Sequence, residues 1–400
     1  RMNVSMNLSL NNTQNAFAYK SNTDLNKAKW LFTVIQNPWI VSLGTRFTPM
    51  LMKSGLPING IIRNTIFNQF VGGETLDESA RVTKMLGSYG VQVILDYGVE
   101  AKEGDASFDE VTEQFIKAVE FAATQNNVPF ISVKLTGLSS MHLLERLNEA
   151  PRLRSGIHDS ESDDAAWNRL KERMYAICDV AETHGIGILI DAEETWIQDP
   201  IDRLAIELMG VYNKEKVIVY NTYQLYRSDR LSFLKISHKI AAEGNFILGA
   251  KLVRGAYMEK ERARAEAMGY PSPIQVDKTA TDADFDAGVE FCLEHLDQIA
   301  LILASHNEAS NLKCVQMMQN KGLPNNHARI HFSQLYGMSD HITFNMASEG
   351  YKVSKYLPFG PLQDVIPYLM RRAQENSSVN GQTNRELLLI RQEIARRKAK

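Results

Sequence analysis

The stretch Gly187-Ile188-Leu189-Ile190-Asp191 is a short apolar run that ends on a carboxylate. Its hydrophobicity is continuous rather than alternating, which is typical of a parallel strand covered by helices on both faces. Seven other runs of this kind occur along the chain, separated by segments with helical spacing of apolar residues. The eight predicted strands are Val91–Asp96, Phe130–Leu135, Gly187–Asp191, Val217–Asn221, Phe246–Leu252, Ala300–Ser305, Ala328–Phe332 and Tyr351–Leu357. This alternation predicts an α/β fold, a (βα)8 TIM-like barrel.

The main alternative is a doubly wound open sheet. A dinucleotide-binding sheet of that kind usually carries a GxGxxG turn after its first strand, and this sequence has none. We therefore expect an N-terminal helical segment over 1–88, a barrel over 89–376, and a linker with a terminal helix over 377–400. The polar segment Arg146–Asp164 is predicted to be an insertion loop, and Ser377–Gln382 the linker.

Local signals predict where three helices begin. Ser107 with Glu110 forms a capping-box pattern, and Asp199-Pro200 places a good N-cap before a proline at the first helical position. Pro367 lies where a helix should already be running, which predicts a kink or a late helix start.

Composition restricts the class of protein. The chain has 400 residues, 44% of them hydrophobic, and a net charge of −3, which gives no support to nucleic-acid binding. Its three cysteines, Cys178, Cys292 and Cys314, are widely spaced and odd in number, which predicts reduced thiols and no zinc cluster. We expect no metal site.

Membrane signals in the sequence are weak. No apolar run approaches the roughly 18 residues that a membrane span requires. The apolar-rich segment 28–53 carries Trp30 and Trp39, and here a helical layer packed on the main domain is favoured over contact with a membrane surface.

Polar side chains stand at the ends of the predicted strands, where (βα)8 barrels gather their chemistry. The eight residues at these ends are Asp96, Lys134, Asp191, Gln224, Lys251, His306, Gln334 and Tyr356. One such residue is ordinary, but the whole set predicts a binding site at one rim. The loop after the fifth strand holds two cations and Gly255, a pattern suited to phosphate.

A second cluster is predicted near the C-terminus. On a helix, Tyr368, Arg371, Arg372 and Glu375 share one face. Two neighbouring guanidinium groups repel each other unless an anion lies between them, and their planar fork suits a carboxylate or a phosphate. A solvated arginine pair on a surface helix is the alternative.

Three reaction classes fit these residues. One is a cofactor-dependent oxidoreductase acting on a small carboxylate, and another is a Schiff-base lyase that uses Lys134 or Lys251. The third, a metal-assisted hydrolase using Asp191, Glu193 and His306, is the weakest because no HxH pair marks the first strand. The residues alone do not separate the first two classes.

Structural roles are also open for the same residues. Lys134 and Asp191 could form a buried ion pair, and His306 could satisfy a helix N-terminus beside Asn307, which is a good cap residue. Glu375 could do no more than pair with an arginine. A catalytically inactive binding protein is a further alternative, although a retained set of charges argues against it.

Six motifs occur in a fixed order between about Gln69 and Arg385. They are Val133-Lys134-Leu135, Ile190-Asp191-Ala192-Glu193-Glu194, KLVRGAY at 251–257, Ser305-His306-Asn307, QLYGM at 334–338 and YLMRRAQEN at 368–376. With these motifs the chain resembles the proline dehydrogenases, flavin-dependent (βα)8-barrel enzymes of proline catabolism.

The resemblance implies FAD as cofactor and oxidation of L-proline to Δ1-pyrroline-5-carboxylate. It implies that the proline carboxylate is bound by Arg371, Arg372 and Lys134, and that the ring packs on Tyr356, Tyr368 and Leu252. Asp191, Tyr257 and Glu375 would support these residues. The residues implied to hold FAD are Gln224, Lys251, Arg254, Gly255, Ala256, Ser305, His306, Asn307 and Gln334.

Several details of the chain refine this expectation. Many bacterial members carry Arg at the position of Lys251 and Trp at that of Met258, so the loop resembles the eukaryotic type. The second half of the bifunctional bacterial enzymes is not seen, so we expect a monofunctional enzyme. Hydroxyproline dehydrogenase is the nearest alternative, but Tyr356 would crowd a ring hydroxyl and so favours proline.

The resemblance also implies an electron acceptor and a location. The acceptor would be a membrane quinone. We expect a cytoplasmic protein, or one bound peripherally to the inner membrane of a bacterium or mitochondrion, with no nucleic-acid partner.

Overall fold

A computed structural model describes residues 8–149, 160–377 and 382–400. Parts of the predicted insertion loop Arg146–Asp164 and of the predicted linker Ser377–Gln382 lie outside these ranges. Eight parallel strands pair in chain order and form a closed barrel. They are β1 Gln92–Tyr97, β2 Phe130–Val133, β3 Gly187–Ile190, β4 Val219–Gln224, β5 Leu248–Val253, β6 Ile299–Ala304, β7 Ile330–Leu335 and β8 Val353–Phe359.

Each strand overlaps one of the predicted apolar runs, so the predicted (βα)8 barrel is confirmed. All four residues of β2 and of β3 are buried, as continuous hydrophobicity requires of strands covered on both faces. The strands differ from the predicted runs by up to three residues at their ends, because pairing with a neighbour rather than hydrophobicity decides where a strand stops.

Helices precede, separate and follow the strands. Before β1 lie α1 Thr13–Ala16, α2 Asn22–Ile35, α3 Pro38–Lys53, α4 Ile58–Ile62, a π-helical turn Arg63–Phe67, α5 Asn68–Phe70 and α6 Leu76–Ser88. Between strands lie α7 Asp105–Ala123, a 3-10 turn Leu135–Gly137, α8 Met141–Glu149, α9 Ser160–His184, α10 Thr195–Tyr212, α11 Arg230–Glu243, α12 Met258–Met268, α13 Lys278–Glu294, α14 Glu308–Asn320 and α15 Asp340–Ser348. After β8 follow α16 Leu362–Ser377 and α17 Gln382–Lys398.

Two predicted helix starts are wrong. Helix α7 begins at Asp105, two residues before the predicted cap, because Gly104 adopts a φ of 85° and turns the chain into the helix there. Helix α10 begins at Thr195, so Pro200 lies inside it. The Thr195 backbone N–H and hydroxyl both donate to the Glu261 carboxylate, which supplies this helix start with a partner distant in sequence.

Pro367 also lies inside a helix. Helix α16 begins at Leu362, so the predicted late start is wrong. The backbone N–H groups of Asp364 and Val365 both donate to the Pro361 carbonyl in its first turn.

The chain divides into two compact units, Arg1–Val93 with Ser333–Lys400, and Ile94–Phe332. In the first unit, α2 buries Leu31 and Ile35 while Trp30 stays 56% exposed. The segment therefore buries part of its apolar surface, and its expected packing on the main domain stays a prediction. Within the described ranges, no helix has both the length and the apolar character needed to cross a bilayer.

Candidate active site

In the unit Ile94–Phe332, four charged side chains from four strands form a buried ion network. Lys134 and Asp191 directly follow β2 and β3, while Asp96 lies in β1 and Lys251 in β5. The Lys134 Nζ is 2.9 Å from Asp191 Oδ2 and 3.5 Å from Asp96 Oδ1. The Lys251 Nζ is 3.1 Å from Asp191 Oδ1. One carboxylate therefore joins two ammonium groups, as the ion-pair hypothesis for Lys134 and Asp191 proposed.

The charge of Asp191 is fixed by this arrangement. Burial alone would raise the pKa of its carboxyl group, but Lys134 and Lys251 outweigh burial and hold the pKa below its usual range. A lysine must be neutral to attack a carbonyl carbon, and the close carboxylate favours the charged form of Lys134. The network therefore disfavours Lys134 as a Schiff-base nucleophile.

Glu193 is another acidic group of this unit, and its pKa shifts in the opposite direction from that of Asp191. Burial raises its pKa to about 8, and the Thr136 hydroxyl, 2.6 Å from Oε1, only partly offsets this. The backbone N–H of Glu193 donates to Gln198 Oε1. Oε2 is buried and has no hydrogen-bond partner in the part of the chain that the structure describes. A pKa raised in this way favours the protonated form of Glu193 near neutral pH, which sequence reasoning missed because the shift depends on burial.

Arg254 follows β5, and its guanidinium group is fixed by hydrogen bonds and by a nearby aromatic ring. Its guanidinium donates to Asp282 at 2.8 Å, to the Ser305 hydroxyl at 2.7 Å and to the Ser310 hydroxyl at 2.9 Å. It also lies 4.3 Å from the ring centroid of Phe285. The position of this cation is thus set by α13, α14 and the end of β6.

The next residue of the loop, Gly255, lies directly against an aromatic ring. Gly255 has a φ of 140°, and a Cβ there would lie 2.4 Å from Tyr226 Cε1, so only glycine fits. Ala256 is exposed, and Tyr257 directly precedes α12. Leu252 is fully buried, and a Cβ on Gly288 of α13 would lie 3.3 Å from its Cδ1. The roles implied for Leu252, Ala256 and Tyr257 stay predictions.

Strands β4 and β6 supply the remaining candidates of this unit. Gln224 is 2% exposed, and its Oε1 lacks a hydrogen-bond partner among the residues described. Asn307 caps α14, since its side chain accepts the Ser310 backbone N–H at 2.9 Å. The Ser305 hydroxyl accepts the backbone N–H of Asn307, and His306 lies between them. The capping hypothesis for Asn307 is therefore confirmed.

The second cluster lies in the other unit, on α16 and β8. Tyr356 and Tyr368 have nearly parallel rings, with centroids 6.4 Å apart and an interplanar angle of 16°. Arg372 lies over the Tyr368 ring at 4.7 Å and pairs with Glu375, whose Oε1 is 2.5 Å from Nη2. Arg372 is buried, and no hydrogen-bond partner of its Nε is found within the described ranges. Arg371, on the same face, is half-buried.

Gln334 and a lysine that sequence reasoning missed lie in the same unit. The Gln334 Oε1 accepts the Thr343 hydroxyl at 2.7 Å. Lys355 is fully buried, donates to the Met338 carbonyl at 2.5 Å and lies 3.0 Å from Asp340. In the sequence, Lys355 could be noticed only because a charged residue interrupts the apolar run of the last strand.

A family model described as proline dehydrogenase matches residues 79–385. The chain belongs to the proline dehydrogenase family. This confirms the family resemblance, the predicted enzyme class of oxidoreductase and the predicted oxidation of proline.

Curated relatives cover most of the chain. Proline dehydrogenase 1, mitochondrial, from Dictyostelium discoideum is 32% identical over 96% of this chain and 74% of its own. Carbapenem antibiotics biosynthesis protein CarD from Pectobacterium carotovorum subsp. carotovorum is 34% identical over 82% of this chain and 83% of its own. Hydroxyproline dehydrogenase from Xenopus laevis is 32% identical over 84% of this chain and 78% of its own.

A solved structure supports the fold of this proline dehydrogenase family member. Proline utilization A from Bdellovibrio bacteriovorus superposes with a TM-score of 0.71 at 21% identity and covers 92% of the chain. The chain spans 38% of that longer protein. At this identity the likeness shows the barrel fold alone.

Proposed function

We propose that this protein oxidises L-proline to Δ1-pyrroline-5-carboxylate with FAD as its cofactor. The observation that carries the proposal is the Arg372 side chain, which is buried with an Nε–H that lacks a hydrogen-bond partner among the described residues. A buried charged donor left unsatisfied costs free energy, and a substrate carboxylate would remove that cost. The adjacent Tyr356 and Tyr368 rings offer an aromatic surface that suits the saturated ring of proline.

The residues of the barrel unit fit a flavin. Gln224 presents a buried acceptor whose partner is not found in the described chain, and a flavin ring carries an N–H donor. Gly255 joins the proposed set through the family resemblance, while its lack of a side chain is explained by the adjacent Tyr226 ring. Arg254 is positioned by three hydrogen bonds, so it presents a fixed positive charge suited to a phosphate. Lys251, Ala256, Ser305, His306 and Asn307 of the same unit belong to the proposed FAD set, and the family resemblance adds Gln334.

A bound FAD would supply the acceptor for the hydride of the proline carbon beside the nitrogen, while the ring nitrogen loses a proton as the C=N bond forms. In this proposal, Arg371, Arg372 and Lys134 bind and orient the substrate. Asp191 keeps Lys134 charged and fixed, and Glu375 does the same for Arg372. Because these groups are largely buried, water is excluded and their charges act strongly.

For the electrons, we propose a membrane quinone as acceptor, with peripheral contact between protein and membrane. The support is the family resemblance, together with the relatives whose names carry the word mitochondrial. The chain would then bind to the inner membrane of a mitochondrion or a bacterium. Proline-dependent reduction of a quinone embedded in liposomes tests this acceptor, and the absence of such reduction in an active enzyme would point to another one.

Hydroxyproline is the second candidate substrate, because a hydroxyproline dehydrogenase is among the relatives. Tyr356 argues for proline. Its side chain is buried against Tyr368, so it occupies space that a ring hydroxyl would need.

The visible absorption spectrum of the purified protein tests the proposal. Flavin bands that bleach when L-proline is added without oxygen would establish cofactor, substrate and direction together. D-proline and trans-4-hydroxy-L-proline serve as matched controls. A yellow protein that bleaches only with hydroxyproline would change the substrate. A protein that stays colourless after FAD is added would refute the oxidoreductase proposal.

A further inference from the structure

Helix α3 differs from an ordinary surface helix, because its large apolar side chains face solvent. Its large apolar side chains Trp39, Leu43, Phe47 and Met50 are exposed, with Trp39 at 73% and Met50 at 64%. Their spacing of four, four and three residues places them on one face. A surface helix normally turns such a face toward the core. The exposed residues therefore form a continuous apolar ridge, defined here as the α3 ridge.

The inward side of α3 carries small side chains and leaves a cavity. Gly44, Thr45 and Thr48 line a space of about 210 Å³ together with Val41. The other walls come from α2, α4, the π-helical turn and α16, and they include Leu31, Ile35, Ile62, Ile366, Leu369 and Met370. The cavity is smaller than the roughly 300–1,000 Å³ of pockets for drug-sized ligands. Its lining is apolar apart from threonine, so it suits one hydrocarbon chain.

The charged residues in and around α3 are all of one sign. Residues 25–73 contain five basic residues and no Asp or Glu, in a chain whose net charge is −3. On α3 itself, Arg46 and Lys53 lie three residues after Leu43 and Met50, beside the ridge. Arginine and lysine at the border of an apolar face can keep their charges in water while their stems cover apolar surface. Helices that lie in the interface of anionic membranes have this pattern.

We propose that the α3 ridge inserts into the interface of an anionic phospholipid bilayer and that a lipid hydrocarbon chain occupies the cavity behind it. This inference rests on the proposed use of a membrane quinone and names the surface that makes the contact. A second copy of the chain is a poorer occupant, because a two-fold contact through this ridge would bring like charges together.

Helix α16 carries both a wall of the cavity and the Tyr368 and Arg372 side chains proposed to bind substrate. Ile366, Leu369 and Met370 line the cavity, while Tyr368 and Arg372 belong to the opposite face of the same helix. One helix, about 10–12 Å across with its side chains, separates the proposed lipid chain from the proposed carboxylate site.

Vesicle flotation of the holoenzyme tests the inference. Wild-type protein should float with vesicles of phosphatidylcholine and phosphatidylglycerol, float less with phosphatidylcholine alone, and dissociate as salt is raised. The double variant Trp39→Ser/Phe47→Ser should lose at least about tenfold in vesicle partitioning, since two large apolar side chains no longer enter the bilayer. Leu388→Ser, which removes an exposed leucine of α17, is the matched control and should leave binding unchanged.

Three further readouts make the test decisive. The double variant should keep its circular dichroism and its proline-dependent reduction of a soluble dye, because α3 lies outside the proposed catalytic residues. Vesicles with brominated acyl chains should quench tryptophan fluorescence. Trp39→Phe should reduce that quenching, and Trp30, which lines the cavity, should account for the rest. Absence of wild-type binding to anionic vesicles would overturn the proposal. So would a dimer that the double variant converts to monomers without any vesicle binding.

The two proposals fail in distinguishable ways. Flavin that bleaches with proline in a protein that ignores vesicles would overturn the membrane contact alone. A protein that binds anionic vesicles through the ridge but does not bleach would overturn the proposed substrate alone.

Discussion

Replacing Arg372 with methionine tests the proposed carboxylate site most directly. Methionine retains much of the buried apolar volume beside Tyr368 but removes the cation. The change removes the ion pair between Arg372 and Glu375, but the Glu375 side chain is 38% exposed and stays hydrated. The main expected loss is therefore a charge-assisted contact with the substrate, worth about 1.5–3 kcal/mol. At about 1.4 kcal/mol per factor of ten, KM for proline should rise about 10- to 150-fold.

The assay compares two substrates. Anaerobic flavin reduction is titrated with L-proline and with pyrrolidine, which has the same ring but no carboxylate. Arg372→Met should weaken proline and leave pyrrolidine nearly unchanged, because only proline uses the guanidinium. Glu375→Gln is the matched control, since it removes the ion-pair partner and keeps the guanidinium.

Two results would refute this reasoning. The first is a KM for proline that stays within about twofold of wild type while the variant retains its flavin. Such a small change would mean that no charged hydrogen bond to the substrate was lost. The second is an equal loss with proline and pyrrolidine, which would assign Arg372 to the architecture of the site rather than to the carboxylate.

Three other substitutions test the remaining parts of the site. Asp191→Asn leaves Lys134 and Lys251 without their shared carboxylate and should cost about 3–5 kcal/mol in urea unfolding at pH 7. Because the pKa of Asp191 is depressed in the folded protein, its stabilisation is present above about pH 4 and lost in stronger acid, where variant and wild type should converge. Glu193 has the opposite sign: because its pKa is raised from 4.5 to about 8, wild type should lose stability progressively as pH rises from about 4.5 to about 8, and Glu193→Gln should remove that loss in thermal melts. Tyr356→Ser should raise kcat/KM for hydroxyproline relative to proline, and an unchanged ratio would remove the argument for proline.

The fold was predictable because its signal is local. A strand covered on both faces is mainly apolar, and each of the eight strands overlaps one of the predicted apolar runs. The start of α10 was not predictable, because Thr195 is capped by Glu261, which lies 66 residues away. Sequence contains no direct record of such a partner.

The candidate site was predictable in its residues but not in their electrostatics. Motifs and strand ends located Lys134, Asp191 and Arg372. The protonated state of Glu193 depends on burial that no local pattern reports. Arg254 was expected to serve FAD, and the structure adds that Asp282 and two serines already fix its position. The expected role and the observed contacts are compatible, because a fixed guanidinium loses less entropy on binding an anion.

Helix α16 shows why the arginine motif occurs where it does. A period of 3.6 residues places Ile366, Leu369 and Met370 on one face and Tyr368 and Arg372 on the other. The apolar face lines the cavity behind α3, and the polar face holds the buried guanidinium beside the tyrosine ring. A shift of the helix caused by filling the cavity would therefore also move Arg372. The lipid cavity proposed behind α3 and the carboxylate site proposed on α16 thus share one helix, whose apolar face serves the first and whose polar face serves the second.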